Sequence, residues 1–290
     1  MRVPGESREH AWSNFVYPLK NEEGAVRGAA VSAHDITEQY WARKRLQLIN
    51  HASAHIGSTL DVARTAQELA DVAVPQFADF VCVDLLESVD RGEEPTLGLI
   101  SGWVAFRRTA IKSILDGCPE SALKPGDADS HPDCTAPARA LAAGQAIRRS
   151  SAEADFARWL ADDASLAQEL GIHAVLAAPL IARGATVGVA TFVRHATPED
   201  FDEDDLLLAD ELASRAAVCV DNARRYTRER GTAAALQQAL LPRSTPRQAA
   251  VEVASRYLPT GILAGVGGDW FDVIPLSSAR VALVLQRSLF

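Results

Sequence analysis

Two carboxylates stand three residues apart in Gly265-Val266-Gly267-Gly268-Asp269-Trp270-Phe271-Asp272, close to the C-terminus. Hard divalent cations such as Mg²⁺ and Mn²⁺ are held by a few carboxylates and waters, so Asp269 and Asp272 are candidate ligands. Glycine beside such a carboxylate lets the backbone approach an ion or phosphate closely, or take a positive φ. The same residues also fit a plain bend joining Val251–Tyr257 to the strand-like run Arg280–Leu285. Residue types alone leave both readings open.

The remaining soft or titratable candidates are scattered. Cys82, Cys118, Cys134 and Cys219 have no CxxC spacing and no neighbouring histidine pair, so they outline no zinc framework. Cys82 and Cys219 fall in apolar stretches and read as small core residues. Cys118 and Cys134 lie in a loop-like region, where the sequence leaves a disulfide open; a reducing cytoplasm is the simplest setting. His131-Pro-Asp-Cys134 lacks the spacing of a metal site, and a lone histidine at a strand start, such as His173, is more often held by local hydrogen bonds.

A net charge of −9 and a pI near 5.3 argue against nucleic acid or an anionic membrane as partner. The longest apolar run, Ala174–Ala182, is far shorter than a bilayer span, and the polar opening residues do not form a signal peptide, so a cytoplasmic protein is expected. With 48 % hydrophobic residues in a chain of 290, there is material for about two domains.

The elements that must position these residues follow in chain order. Trp12–Ala33 alternates as two strands around a turn at Asn21–Gly24. Asp35-Ile-Thr-Glu38 has the spacing of a capping box, opening a helix with Ala42, Leu46, Ile49, Ser53 and Ile56 as a stripe. Asp61 caps a second helix, with Val62, Ala66, Leu69 and Ala73 on one face and Pro75 beyond its end. Ala78–Leu86 reads as a buried strand, with Thr96–Val104 as its hairpin partner across the charged turn Glu87–Pro95. Phe106–Leu115 is read as helical, 119–137 as loop, Ala138–Ala143 as a short helix ending at Gly144, and Ala152–Leu170 as a helix ending at Gly171. His173–Ala182 and Ala185–Arg194 form a hairpin around the two-residue turn Arg183-Gly184. A helix from Asp205 to Arg230 carries Ala209, Leu212, Ala216, Cys219, Ala223 and Tyr226 as a seam, suited to packing on its own domain or on a second helix, with Gly231 as a possible interruption.

Three resemblances follow from these orders. A "PL" strand, acidic turn, returning strand, "DITE" and a basic helix resemble the last two strands and exit helix of a PAS sensor domain, over about residues 8–46. The succession of helix, strands, loop, the APL-x-x-RG-x-x-x-G hairpin and the long exit helix resembles a GAF domain over 55–226. Such domains bind cyclic nucleotides, haem, bilins or nothing; the Asn-Lys-Phe-Asp-Glu pattern of the cyclic-nucleotide class has no counterpart, so the ligand stays unknown. Finally, Ala235–Pro242, Val251–Pro259, GVGGDWFDVIPL and Arg280–Leu285 come in the order found at the start of SpoIIE-type serine/threonine phosphatases, a branch of the PPM metal-dependent phosphatases.

That last resemblance implies a binuclear Mn²⁺ or Mg²⁺ centre with Asp269 as ligand, Gly268 beside it and Asp272 in a supporting position. It implies a phosphorylated anti-sigma-factor antagonist as substrate, and homodimerisation through the inter-domain helices. The family's next Gly-Asp-x-x-Gly-His-Gly element, carrying another metal ligand, has no counterpart in Gln286–Phe290, so the chain by itself is expected to be inactive as a phosphatase. The expected architecture is α+β: a partial PAS domain over 1–46, a GAF domain over 55–226 with a central antiparallel sheet, a linker helix over 227–243, and the first part of a PPM-type α/β sandwich over 244–290. The alternative is a non-catalytic GAF module for ligand sensing or dimerisation. A sensor histidine kinase is disfavoured, because LQQALLP stands where a phosphoacceptor-histidine helix belongs.

Overall fold

In the computed structural model of this chain, residues 9–95, 97–100, 105–156, 164–240, 270–276 and 280–286 are described. They form two compact units, Met1–Ala223 and Arg224–Phe290. The first is built around the hairpin of β7 (Ala174–Ala182) and β8 (Ala185–Arg194). Its two turn residues, Arg183 and Gly184, have φ of 52° and 79°, the left-handed pair that matches the twist of a two-residue hairpin. Arg183 is held there by Asp221 at 2.8 Å and Asn222 at 3.1 Å.

Four more strands extend the hairpin into an antiparallel sheet: β3 (Phe80–Leu86), β4 (Ala105–Ser113), β5 (Ala128–Ser130) and β6 (Ile147–Ser150), in the order β5-β4-β3-β8-β7-β6. Strands β3, β7 and β8 are apolar almost throughout, as central strands covered on both faces must be. Phe192, Leu176 and Leu180 are fully buried, each contributing about 1.5–3 kcal/mol by removal from water.

Several expectations need correction. Phe106–Leu115 is not helical but lies largely in β4, in which Phe106, Arg108 and Ala110 are buried while their neighbours are half-buried. That period of two, completed by pairing with β3, overrides the helix preference of its Arg, Lys and Ala residues. The partners of β3 are therefore β4 and β8, not Thr96–Val104; of that segment the described Leu97 and Gly98 make only isolated bridges to Ala185. The helix expected from Ala152 is described only as α5 (Ala164–Leu170), preceded by turns at Ser151–Asp155, and β6 was missed because it is only four residues long.

Helices α1 (Thr37–His55) and α2 (Val62–Ala73) precede the sheet. Asp61 caps α2 as expected, accepting from Arg64 N at 2.7 Å. Asp35 does not form a capping box: its carboxylate bonds the backbone and hydroxyl of Thr37 instead. The buried residues of α1 are Leu48 and Ala52; of the expected stripe, Ile56 is buried just beyond the helix end and Ile49 packs against the core, whereas Ala42, Leu46 and Ser53 are exposed, so only its C-terminal part meets the domain. Short helices α3 (Glu87–Asp90) and α4 (Ala136–Ala143) follow β3 and β5; α4 ends on Gly144 at φ 68°, the left-handed terminus expected there.

Helix α6 runs unbroken from Glu203 to Leu240, so Gly231 does not interrupt it. Ala209, Leu212, Ala216 and Ala223 are buried and Cys219 half-buried, so the seam packs within its own chain as far as Ala223, while its last member, Tyr226, is exposed. Apart from the large sheet, β1 (Trp12–Lys20) pairs with β2 (Val26–Asp35), and β9 (Trp270–Leu276) pairs with β10 (Arg280–Gln286), both antiparallel. Among the described residues no helix is long and apolar enough to cross a membrane.

Candidate ligand site

The site grows out of one irregularity in the sheet. On β3, Val81 is opposite Lys112, whose ammonium lies 3.6 Å from Asp71 of α2, so Val81, Val83 and Leu85 face that helix. Cys82 and Asp84 therefore face the other side. The β3–β4 register shifts between Val83 and Asp84, pairing Val83 with Ala110 and Asp84 with Arg108 and leaving Thr109 as the extra residue. The bulge turns Arg108 onto the face of Asp84, a re-aiming for which bulges are used.

Both residues are buried there, Asp84 at 0 % and Arg108 at 6 % exposure. Arg108 Nε donates to Asp84 Oδ1 at 2.5 Å, Nη2 to Oδ2 at 3.3 Å, and Nη1 to Ser121 Oγ at 2.7 Å. His131, immediately after β5, brings Nε2 to 3.4 Å from Asp84 Oδ2. That is a close polar contact without the alignment of a hydrogen bond. Burial pushes the Asp84 carboxyl up, but the contacts from His131 and Arg108 outweigh it and hold it below the usual carboxylate value.

His131 also forms one wall of a cavity of about 210 Å³, with Phe106, Ile100 and Leu141 as its apolar lining and Asp133 and Arg139 as further polar groups. The Phe106 and His131 rings lie 5.0 Å apart. Ala138 and Ala142, one turn apart on α4, complete the lining. Small side chains at these two positions leave the space open.

Other charged clusters close loops. Arg194 donates to the Phe77 carbonyl, to the carbonyls of Glu199 and Asp200, and to Asp205 Oδ2 at 3.1 Å, with its guanidinium 4.0 Å from the Phe201 ring centre. Asp79 accepts from the backbone of His195, Ala196 and Thr197; burial raises its carboxyl, and these bonds more than reverse the effect. A larger cleft of about 620 Å³ lies between α1 and the start of α6, with Lys44 and Arg45 on one wall and Asp200 and Asp202 on the other. Arg45 already bridges to Asp204 beside it.

Of the residues singled out from sequence, His173 is held as expected, Nδ1 by Asp200 at 3.0 Å and Nε2 by the Thr197 carbonyl at 2.8 Å. None of the four cysteines is in a disulfide, Cys82 being buried and Cys134 exposed. Asp269 and Gly268 lie outside the described residues, and Asp272 falls within β9, where its side chain does too. Among the described residues no group of three His, Cys, Asp or Glu side chains could hold a metal ion. Sequence reasoning passed over Asp84 and Arg108, and considered His131 only as a metal ligand. The one available signal was Asp84, a charged residue inside a strand that reads as buried.

Among solved structures, the GAF domain of Acinetobacter phosphoenolpyruvate-protein phosphotransferase aligns at 13 % identity, covering 63 % of this chain and 97 % of that one with a TM-score of 0.44. The GAF domain of the Coxiella burnetii phosphoenolpyruvate-protein phosphotransferase aligns at 13 % identity over 64 % of this chain and 98 % of that one, with a TM-score of 0.45. Free methionine-R-sulfoxide reductase from Neisseria meningitidis, in complex with its substrate, aligns at 17 % identity over 64 % and 91 %, with a TM-score of 0.42. The family description "GAF domain" matches residues 61–220, more than half of the sequence, and takes in β3 to β8, the Asp84–Arg108–His131 network and its cavity. The chain belongs to the GAF-domain family.

Proposed function

We propose that this chain is the sensory part of a signal-transduction protein, in which the cavity beside His131 takes a small ligand and α6 carries its occupancy towards a SpoIIE-type serine phosphatase domain. The observation that carries the sensory half is the charge-balanced Asp84–Arg108 pair, buried behind a histidine that opens on a cavity. Such a network costs desolvation without adding much stability, which favours a role beyond packing. The phosphatase half rests on the residues between Ala235 and Leu285 that resemble that family, and residues 8–46 enter the same reading as the end of a PAS domain. Asp269, with Gly268 beside it and Asp272 behind, would hold Mn²⁺ or Mg²⁺. Such an ion lowers the pKa of bound water for attack on a phosphoserine, here of an anti-sigma-factor antagonist.

A homodimer through the inter-domain helices belongs to this proposal. With Ala209, Leu212 and Ala216 spent inside the chain, exposed Leu46 of α1 and Leu207 and Val218 of α6 are among the described side chains available to a second copy. The non-catalytic reading, a GAF module for sensing or dimerisation alone, draws on the same cavity. Mn²⁺-dependent hydrolysis of p-nitrophenyl phosphate separates the two, measured on this chain and on the chain extended through a complete phosphatase domain. Activity in the extended form, abolished by Asp269→Ala, is the expected result. Activity in neither form leaves the non-catalytic module.

A further inference from the structure

We propose that the His131 cavity reads a hydrogen-bond donor on a small, flat, uncharged ligand, with phenol as the simplest member of the class. The inference rests on the cavity being the ligand site and adds what chemistry that site selects. Nε2 of His131 faces the buried carboxylate of Asp84 at 3.4 Å. A lone pair pointed at that carboxylate would be repelled, so the proton sits on Nε2; the partner of one ring nitrogen fixes the tautomer of the other. His131 lines the cavity, and with the proton on Nε2 the Nδ1 of a neutral imidazole is the acceptor it would offer a ligand there. Arg108 already balances the charge of Asp84.

The rest of the lining agrees with a single ring. A space of about 210 Å³ holds roughly seven waters at roughly 30 Å³ each, or one substituted six-membered ring. Phe106 and Leu141 are 3 % and 2 % exposed and supply apolar walls, while Ala138 and Ala142 project too little to fill the space. A ring resting on these walls with its hydroxyl donating to Nδ1 satisfies the polar edge of His131. A carboxylate would meet the same lone pair with its own, and a methyl ether would bring no proton.

The test is calorimetric titration of the chain at pH 8, above the ordinary histidine range, with phenol, anisole and benzoate as probes. Phenol is expected to bind at least ten-fold more tightly than either of the others. ¹⁵N-detected NMR is expected to place the His131 proton on Nε2 and to show Nδ1 responding to phenol. His131→Phe should remove the preference for phenol over anisole. Because that change touches the buried network, Ala142→Leu serves as a second variant: it narrows the cavity from an exposed helix position and should abolish binding of phenol. Equal binding of phenol and anisole, tighter binding of benzoate, or a proton on Nδ1 of the free protein overturns the donor rule while leaving the cavity as a ligand site. Binding of none of the three probes overturns the rule and the ligand-site reading together.

Discussion

Asp84→Asn isolates the charge of the network from its shape. The substitution keeps the side-chain volume but leaves the Arg108 guanidinium, only 6 % exposed, without its counter-ion. Removing one partner of a buried pair costs about 3–5 kcal/mol. Asn still offers one carbonyl oxygen to Arg108 Nε and Ser121 still accepts from Nη1, so the lower end applies, about 3 kcal/mol. For a domain of this size each kcal/mol moves the melting temperature by roughly 2–4 °C, giving a fall of roughly 6–12 °C at pH 7 by scanning calorimetry. The sign with pH follows from the carboxyl being held below its ordinary value. Its contribution is fully present above the unfolded value near about 3.9 and is lost as pH falls from there through the folded value. The gap between wild type and variant should therefore be constant near neutrality and close only in acid. Replacing both partners with apolar residues, Asp84→Leu with Arg108→Met, should restore most of the lost stability, because no charge is then stranded. A loss below about 1 kcal/mol at pH 7, or a gap indifferent to acid, would refute the buried charge pair.

Other positions give sharper mechanical tests. Gly188→Ala would place a Cβ 2.4 Å from the Asp84 carbonyl oxygen, forcing β8 and β3 apart; urea denaturation should show a loss of about 1–3 kcal/mol. Arg194→Met removes the cation paired with Asp205 and four bonds to backbone carbonyls, and the same assay should register about 3–5 kcal/mol. Asp61→Ala removes the cap on Arg64 N and should cost about 1 kcal/mol, with the cavity probes binding as before.

What could be read in the chain was what local pattern decides. The β7–β8 hairpin was legible because its turn demands two positive φ values and its flanks are continuous apolar runs. The cap at Asp61 and the glycine end of α4 are similarly local. Strand β4 was not, since Ala105–Ser113 acquires its meaning only from pairing with β3, from which it is separated by some twenty residues. The site shared that fate twice over. Asp84 and Arg108 are 24 residues apart, and a one-residue bulge decides whether they face each other; nothing in the spacing of either strand announces it.

The long helix shows the opposite failure, in which a real pattern has two physical uses. Ala209, Leu212, Ala216 and Ala223 repeat at the spacing of a helix–helix seam, and small residues suit close packing in a dimer as well as in a domain. Here the domain takes them: all four are buried, and Gly57, at φ 85°, brings the chain so near the helix that an added Cβ would meet Cys219 Sγ at 2.4 Å. A seam so committed cannot separate from its own core to contact a second copy without exposing that surface. Any signal carried along α6 therefore has to begin as a shift of its packing within the domain. Two contacts already tie the helix to the cavity side of the chain: Asp210 accepts from Ala146 N at 2.9 Å, just after α4, and Glu203 accepts from Arg148 at 2.7 Å. A ligand that moved α4 against the sheet would act on the first turns of α6 through these bonds.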